Sequence, residues 1–225
     1  MPDELAYYEY KYLIEAQKIH LCRMVLDGMY AGTDLFPRGW LETIYYDTPH
    51  ATCYEECLNG TNPKMKFRVR RYEDTQVVQG QIKEKRIYGV RKWKARLFPH
   101  SDKFPPWSYL GELAEDNFKP LHALSLSYGY LVPVVHIRYL RHRYRYPGYR
   151  INMDEKIQAV PCHGLPWRAK SFVQASFALL EVKTASEHPR LPFLGLLQLK
   201  PVAFSKFFFS LRLLRHEADA AGKYI

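Results

Sequence analysis

The stretch from Lys64 to Leu97 constrains this chain more than any other. It reads KMKFRVRRY over Lys64–Tyr72, QIKEK over Gln81–Lys85 and VRKWKARL over Val90–Leu97. Successive side chains of an extended strand point to opposite faces. Lys66, Arg68 and Arg70 therefore share one face, with Phe67 and Val69 behind them. Gln81, Lys83 and Lys85 lie together with Ile82 on the reverse. Lys92, Lys94 and Arg96 lie together with Trp93, Ala95 and Leu97 on the reverse. Like charges held side by side repel by an amount set by the local dielectric. Three strands patterned this way make physical sense when a polyanion sits among the cations.

The charge balance agrees with such a partner. Lys and Arg number 33 against 23 Asp and Glu, a formal net charge of +10. A basic balance attracts phosphates, nucleic acid or anionic lipid, and says nothing about fold. With 47% apolar and 25% charged residues in 225, a core of ordinary size is available. One domain spanning residues 1–225 is expected.

Several chemistries find no support in the residues. Cys22, Cys53, Cys57 and Cys162 make no CxxC pair, and Cys53-x-x-x-Cys57 has no matching half, so a zinc site is not expected. Reduced thiols and a cytoplasmic location are expected instead. The histidines show no HxxxH or HExxH spacing, and neither GxxxxGK[ST] nor GxGxxG occurs. The N-terminal MPDELAYYEYKY carries no apolar signal region. The apolar segment Phe204–Leu214 is broken by Ser205, Lys206 and Arg212, so no membrane span is expected.

In chain order, Tyr7–Leu13 reads as a strand with Glu9 and Lys11 on one face, and Glu15–Met29 has helical spacing. Leu41–Tyr46 is a second strand ending at Asp47-Thr48-Pro49, and Ala51–Leu58 a short helix closed by Asn59-Gly60. The basic strands follow, with turns near Glu73–Asp74 and Tyr88-Gly89. Helical candidates lie around Leu110–Glu115 and Leu121–Tyr128. Val132–Arg145 is a strand that turns at Pro147-Gly148 into a partner starting Arg150–Asp154, with Arg150, Asn152 and Asp154 on one face. Phe177–Lys183 is a compact strand with Glu181 and Lys183 together. Pro189–Leu199 and Ser205–His216 are expected to be helical, with Ser205 as an N-cap. Many strands and few helices suggest an α+β fold built on an antiparallel barrel. Pattern alone leaves two arrangements: charged faces toward solvent, which is the ordinary one, or charged faces lining a lumen with helices packed outside.

The ordered blocks YEYKYL, IYYDT, KFRVRRY, QIKEK followed by VRKWK, IRYLRHRY followed by YRINMD, ALLEVK and FSKF resemble the polyphosphate polymerase (VTC) domain of the triphosphate tunnel metalloenzymes. The resemblance runs from Glu9 to Phe207. It implies an antiparallel barrel around a basic tunnel, helices packed outside and a closing C-terminal helix, which selects the second arrangement. It implies transfer of the γ-phosphate of ATP onto polyphosphate with a divalent metal, Mn²⁺ or Mg²⁺; close relatives hydrolyse triphosphate or cyclise ATP. It assigns the acting cations to Lys11, Arg68, Arg70, Lys83, Arg141, Arg150 and Lys206. Substrate contacts fall to Lys66, Lys85, Lys92, Lys94, Ser205 and Tyr45, and metal ligation to Glu181, with Glu9 as a second carboxylate. One departure is Gln81, where the family commonly has Glu; an amide is no metal carboxylate or proton acceptor.

These assignments compete with simpler roles. Lys92 and Lys94 flank a hairpin expected to be exposed, and any one lysine of such a face is ordinarily solvated. Glu181 could serve only as an ion-pair partner, and Glu9 only as the partner of Lys11. Two other activities compete with polymerisation: a tunnel triphosphatase, and a non-enzymatic polyanion or RNA binder using Tyr139, Tyr144, Tyr146 and Tyr149 for stacking. Carboxylates set among the cations argue against nucleic acid as the partner.

Overall fold

Apolar residues on alternate positions of the strands and at helical spacing between them need cover on two sides of one sheet. A computed structural model describes residues 8–73, 77–86, 89–97, 119–164 and 171–215. In chain order these form β1 (Tyr8–Ile14), a 3₁₀ turn (Ala16–Lys18), α1 (Ile19–Tyr30), β2 (Arg38–Asp47), α2 (Thr52–Leu58), β3 (Lys64–Tyr72), β4 (Val77–Arg86), β5 (Gly89–Leu97) and α3 (Lys119–Tyr128). There follow β6 (Val132–Tyr146), β7 (Tyr149–Pro161), β8 (Val173–Gln174), β9 (Ala178–Thr184), α4 (Pro192–Leu196) and α5 (Lys206–Leu214). The expected helix around Leu110–Glu115 and the C-terminal tail lie outside the described residues.

The strands pair antiparallel in one nine-stranded sheet ordered β1-β9-β7-β6-β2-β3-β4-β5, with β8 against β7. The sheet curls strongly. Glu9 on β1 and Lys83 on β4, near opposite ends of the strand order, come within 3.5 Å. Its convex side carries the apolar halves of the sequence pattern. Cys22, Leu26 and Tyr30 of α1, with Phe193 of α4, cover Tyr12, Ile14, Leu180, Val182, Ile151 and Met153. Leu121 and Leu124 of α3 belong to a second cluster with Phe67, Val69, Val78 and Ile82. Charged faces are therefore turned inward, the arrangement that periodicity alone ranked second.

The concave side is closed by α5, whose Phe207, Leu211 and Leu214 fill it against Val135, Ile137, Ile157, Ala159 and Leu179. A bulge makes this possible. The β6–β7 register shifts between Arg138 and Leu140, and Lys156 takes φ 54° in the left-handed region. Asn152 and Asp154 face inward before the bulge and Ile157 and Ala159 after it, so one strand supplies both polar site and apolar seat.

Two segments differ from their sequence patterns. Glu15–Met29 splits into a 3₁₀ turn and α1. Pro189–Leu199 yields only the five residues of α4, opened by Pro192 and followed by Gln198 at φ 54°. The two residues of β8 are too short for alternation to register.

α5 rests on α2 through stacked Tyr54 and Phe208 rings 5.2 Å apart. The α2 N-terminus is held by fully buried Asp47, which accepts from the backbone N–H groups of Thr48 (2.7 Å), Cys53 (2.7 Å) and Tyr54 (3.0 Å). Asp47→Ala leaves three donors to find other partners and is expected to destabilise the fold by about 2 kcal/mol in urea unfolding, at the upper end for an N-cap.

Candidate functional site

Cross-strand register places the inward side chains in rows. Lys11 lies opposite Glu181 and Glu9 opposite Lys183. Arg141 lies opposite Asp154. Tyr45 and Thr43 lie opposite Arg68 and Arg70. Arg68 and Lys66 lie opposite Gln81 and Lys83, which lie opposite Lys94 and Lys92.

Around Asp154 the charges are tightly bound. This fully buried carboxylate accepts from Arg141 Nε at 2.6 Å and Nη2 at 2.8 Å, and pairs with Lys206 Nζ at 2.6 Å. Burial raises its affinity for a proton, but Arg141 and Lys206 outweigh that and hold it below the usual carboxylate range. Tyr139 lies under both cations, its ring centroid 5.4 Å from Arg141 Cζ and 4.8 Å from Lys206 Nζ. Among the described residues its buried hydroxyl has no hydrogen-bond partner.

A second group of carboxylates sits on β1 and β9. Lys183 Nζ lies 2.9 Å from Glu181 Oε1 and 3.5 Å from Glu9 Oε2, so one ammonium bridges both. Lys11 pairs with Glu9 at 2.9 Å and donates to the Phe204 carbonyl at 3.0 Å. Burial and Glu181 push Glu9 upward, yet Lys83, Lys183 and Lys11 bring it down to about 2. Glu181 lies well below its usual value: burial raises it, and Lys183, Arg141, Lys206 and Lys11 overcome that. Both are ionised, hard oxygen donors.

The β3–β5 wall differs. Arg68 donates from Nε to Gln81 Oε1 at 3.0 Å and from Nη1 to the Tyr45 hydroxyl at 2.9 Å. Arg70 donates from Nε to Thr43 Oγ1 at 3.0 Å. Burial raises Tyr45, but Arg68 and Arg70 draw it down to about 7. Tyr72 is likewise brought to about 8, against burial, by Arg70 and Arg68. Lys92 is pushed down to about 5 by burial and by Arg68, Arg70, Lys183 and Lys94. Lys92 is therefore half-buried among basic neighbours rather than solvated, because the sheet curls over it. Lys94 is exposed.

At the closing helix, Lys66 donates to Ser205 Oγ at 2.9 Å, and Ser205 caps α5 by accepting from Phe208 N at 3.4 Å. Two other candidates lie at the ends of the wall. Arg150 is exposed, opposite Arg145 and Lys183, two residues along β7 from Asn152 and four from Asp154. Lys85 is exposed opposite Lys64. The structure therefore gathers Lys11, Lys66, Arg68, Arg70, Lys83, Lys92, Arg141 and Lys206 and leaves Arg150 and Lys85 at the rims. Missed by the sequence reading were Lys183 and Tyr139. The first shares a face with Glu181 in FALLEVK, which was the available signal; Tyr139 was read only as a stacking residue. Tyr139 and Tyr144 are withdrawn from any stacking platform, Tyr139 being buried inside and Tyr144 on the convex side, donating to Asp27 Oδ1 at 2.7 Å, while the exposed Tyr146 ring lies 6.0 Å from that of Tyr149.

No helix among the described residues is long and apolar enough to cross a membrane. No curated protein matches the chain. A candidate adenylate cyclase from Bacillus halodurans superposes with TM-score 0.56 at 13% identity, covering 89% of this chain and 96% of that one. A candidate adenylyl cyclase from Hippeastrum, described as having a dominant triphosphatase activity, superposes with TM-score 0.52 at 15% identity, covering 92% of this chain and 96% of that one. The VTC domain profile matches residues 6–215. With its inward-facing cations on a curled antiparallel sheet, the chain belongs to the VTC domain family and has the fold of the triphosphate tunnel metalloenzymes.

Proposed function

We propose that this protein is a metal-dependent polyphosphate polymerase that transfers the γ-phosphate of ATP onto an inorganic polyphosphate chain. The observation that carries this reading is the enclosed wall itself: Arg68, Arg70, Lys83 and Lys92 face Lys11, Lys183, Arg141 and Lys206, with ionised Glu9 and Glu181 between. Such a concentration of half-buried basic groups depresses Lys92 and Tyr45 and is relieved by a polyanion.

Phosphoryl transfer demands positioning and charge stabilisation more than covalent chemistry from the protein. The arginine forks of Arg68, Arg70 and Arg141 match phosphate oxygens, and the lysines act as movable point charges. The Tyr139 hydroxyl, unpartnered among the described residues, is available to donate to a phosphoryl oxygen. Ser205 and the first turn of α5 add donors at a helix N-terminus. In the reaction, a terminal oxygen of the acceptor chain bonds to the γ-phosphorus as the β–γ bridging bond breaks, and ADP leaves. Surrounding cations reduce the repulsion between acceptor and donor.

Glu181 and Glu9 fit a divalent ion on the evidence of Lys183, whose ammonium already lies between them. Carboxylate oxygens suit Mg²⁺ or Mn²⁺, with phosphate oxygens and water completing the shell. A bound ion would withdraw charge from the phosphates. A tunnel triphosphatase is the second reading, favoured by the activity described for the Hippeastrum protein; it differs in using water as acceptor.

Incubation with ATP and Mn²⁺ separates the two: long chains on a gel with ADP support transfer, and orthophosphate without chains supports hydrolysis. Arg68→Ala is expected to lower turnover by about 10²-fold or more, with a melting temperature near that of the parent because a like charge has been removed from the wall. Glu181→Gln is expected to abolish metal-dependent turnover while metal-free tripolyphosphate binding holds or tightens. Lys92 supplies a pH dependence. With its value near 5 it is neutral in the free tunnel at pH 7, and phosphate charge raises it. Binding therefore takes up protons and weakens as pH rises. Calorimetry in buffers of differing ionisation enthalpy should show the parent taking up about one proton more than Lys92→Met.

A further inference from the structure

The two halves of the tunnel wall treat their arginines differently. Arg141 is neutralised by the bidentate carboxylate of Asp154. Among the described residues Arg68 and Arg70 meet no carboxylate: they donate to the Gln81 amide, the Tyr45 hydroxyl and the Thr43 hydroxyl, and Arg70 also meets the Tyr72 hydroxyl. Among the described residues, the inward side chains of β3, β4 and β5 include no acid. At the centre of this acid-free wall stands Gln81, only 1% exposed, between Arg68 on β3 and Lys94 on β5.

Its amide is oriented without ambiguity. Arg68 Nε can only donate, so it must meet the Gln81 oxygen, and the amide nitrogen then donates to Gln79 Oε1 at 2.8 Å. Gln79 in turn lies opposite Arg70 and Arg96. Two neutral amides in series thus fix the Nε edge of Arg68 without cancelling its charge.

We infer that Gln81 is a positioning residue that sets the anion affinity of the tunnel: it aims the Arg68 guanidinium at a polyphosphate segment while adding no negative charge of its own. This rests on the polyphosphate reading of the site. A carboxylate at this position would hold Arg68 equally well, but it would neutralise the arginine before any phosphate arrived. Like-charge strain in the free wall would fall, and so would the attraction for ligand. Stability and affinity therefore move in opposite directions, which a purely structural glutamine would not produce.

The test is tripolyphosphate binding by calorimetry without metal, alongside the melting temperature of the ligand-free protein, for parent, Gln81→Glu and Gln81→Met. Gln81→Glu is expected to melt at or above the parent and to bind about tenfold or more weakly, as one charge a few ångströms from the ligand predicts. Gln81→Met is expected to melt below the parent and to lose less affinity than Gln81→Glu, since Arg68 keeps its charge but loses its guide. A parent that binds, with Gln81→Glu binding equally tightly or melting as low as Gln81→Met, overturns this inference alone. A parent that does not bind tripolyphosphate overturns the tunnel reading and this inference with it.

Discussion

One buried carboxylate holds the closed end of this molecule together. Asp154 takes both Nε and Nη2 of Arg141 and also Lys206, each within 2.8 Å, with no solvent to share the load. Two cations packed side by side at this depth would repel strongly, and Asp154 offsets them where they sit. Lys206 is the first residue of α5, so the same contact ties the closing helix to β6 and β7. The hydrogen bond from Lys66 to Ser205 ties it to β3 as well. The cap on the tunnel and the inward-facing cations are one construction, and a change at Asp154 disturbs both.

From that anchored end the wall divides. Along β7, β9 and β1, acids alternate with bases, and Lys183 stands between Glu9 and Glu181. Along β3, β4 and β5 no inward side chain among the described residues is an acid, and Lys83 meets Glu9 only across the curl of the sheet. The depressed Lys92, Tyr45 and Tyr72 are consequences of that second half, where burial alone would move the phenols upward and the arginines move them down. A sheet strained in this way needs apolar cover on its other side, and the packing of Phe67, Val69 and Ile82 with α3 provides it. Local rules for stable packing are broken on one face only, as is usual at a functional surface.

Much of this was readable in the residues. Period-two alternation in KMKFRVRRY and VRKWKARL placed Lys66, Arg68 and Arg70 on one face, and Lys92 and Lys94 on another, as the register bears out. Ser205 was legible as an N-cap, and Pro147-Gly148 as a turn, because those signals act over a few residues. Periodicity could not say which face is concave. That depends on which apolar stripes find helices to cover them, a matter of contacts between distant segments such as α1 with β9.

The sequence by itself determined the strands, the shared faces of their cations and, through the ordered blocks, the family. Only the tertiary structure decided what each charge meets. The bulge at Lys156 has no glycine to announce it, yet it turns Asp154 and Ile157 to the same side and so creates both the clamp and the seat for α5. Curling of the sheet brought Glu9 to Lys83 and half-buried Lys92, while Arg150 and Lys85 stayed at the rims. Alternation is a property of neighbouring residues; the electrostatics of a tunnel is a property of strands brought together across the chain.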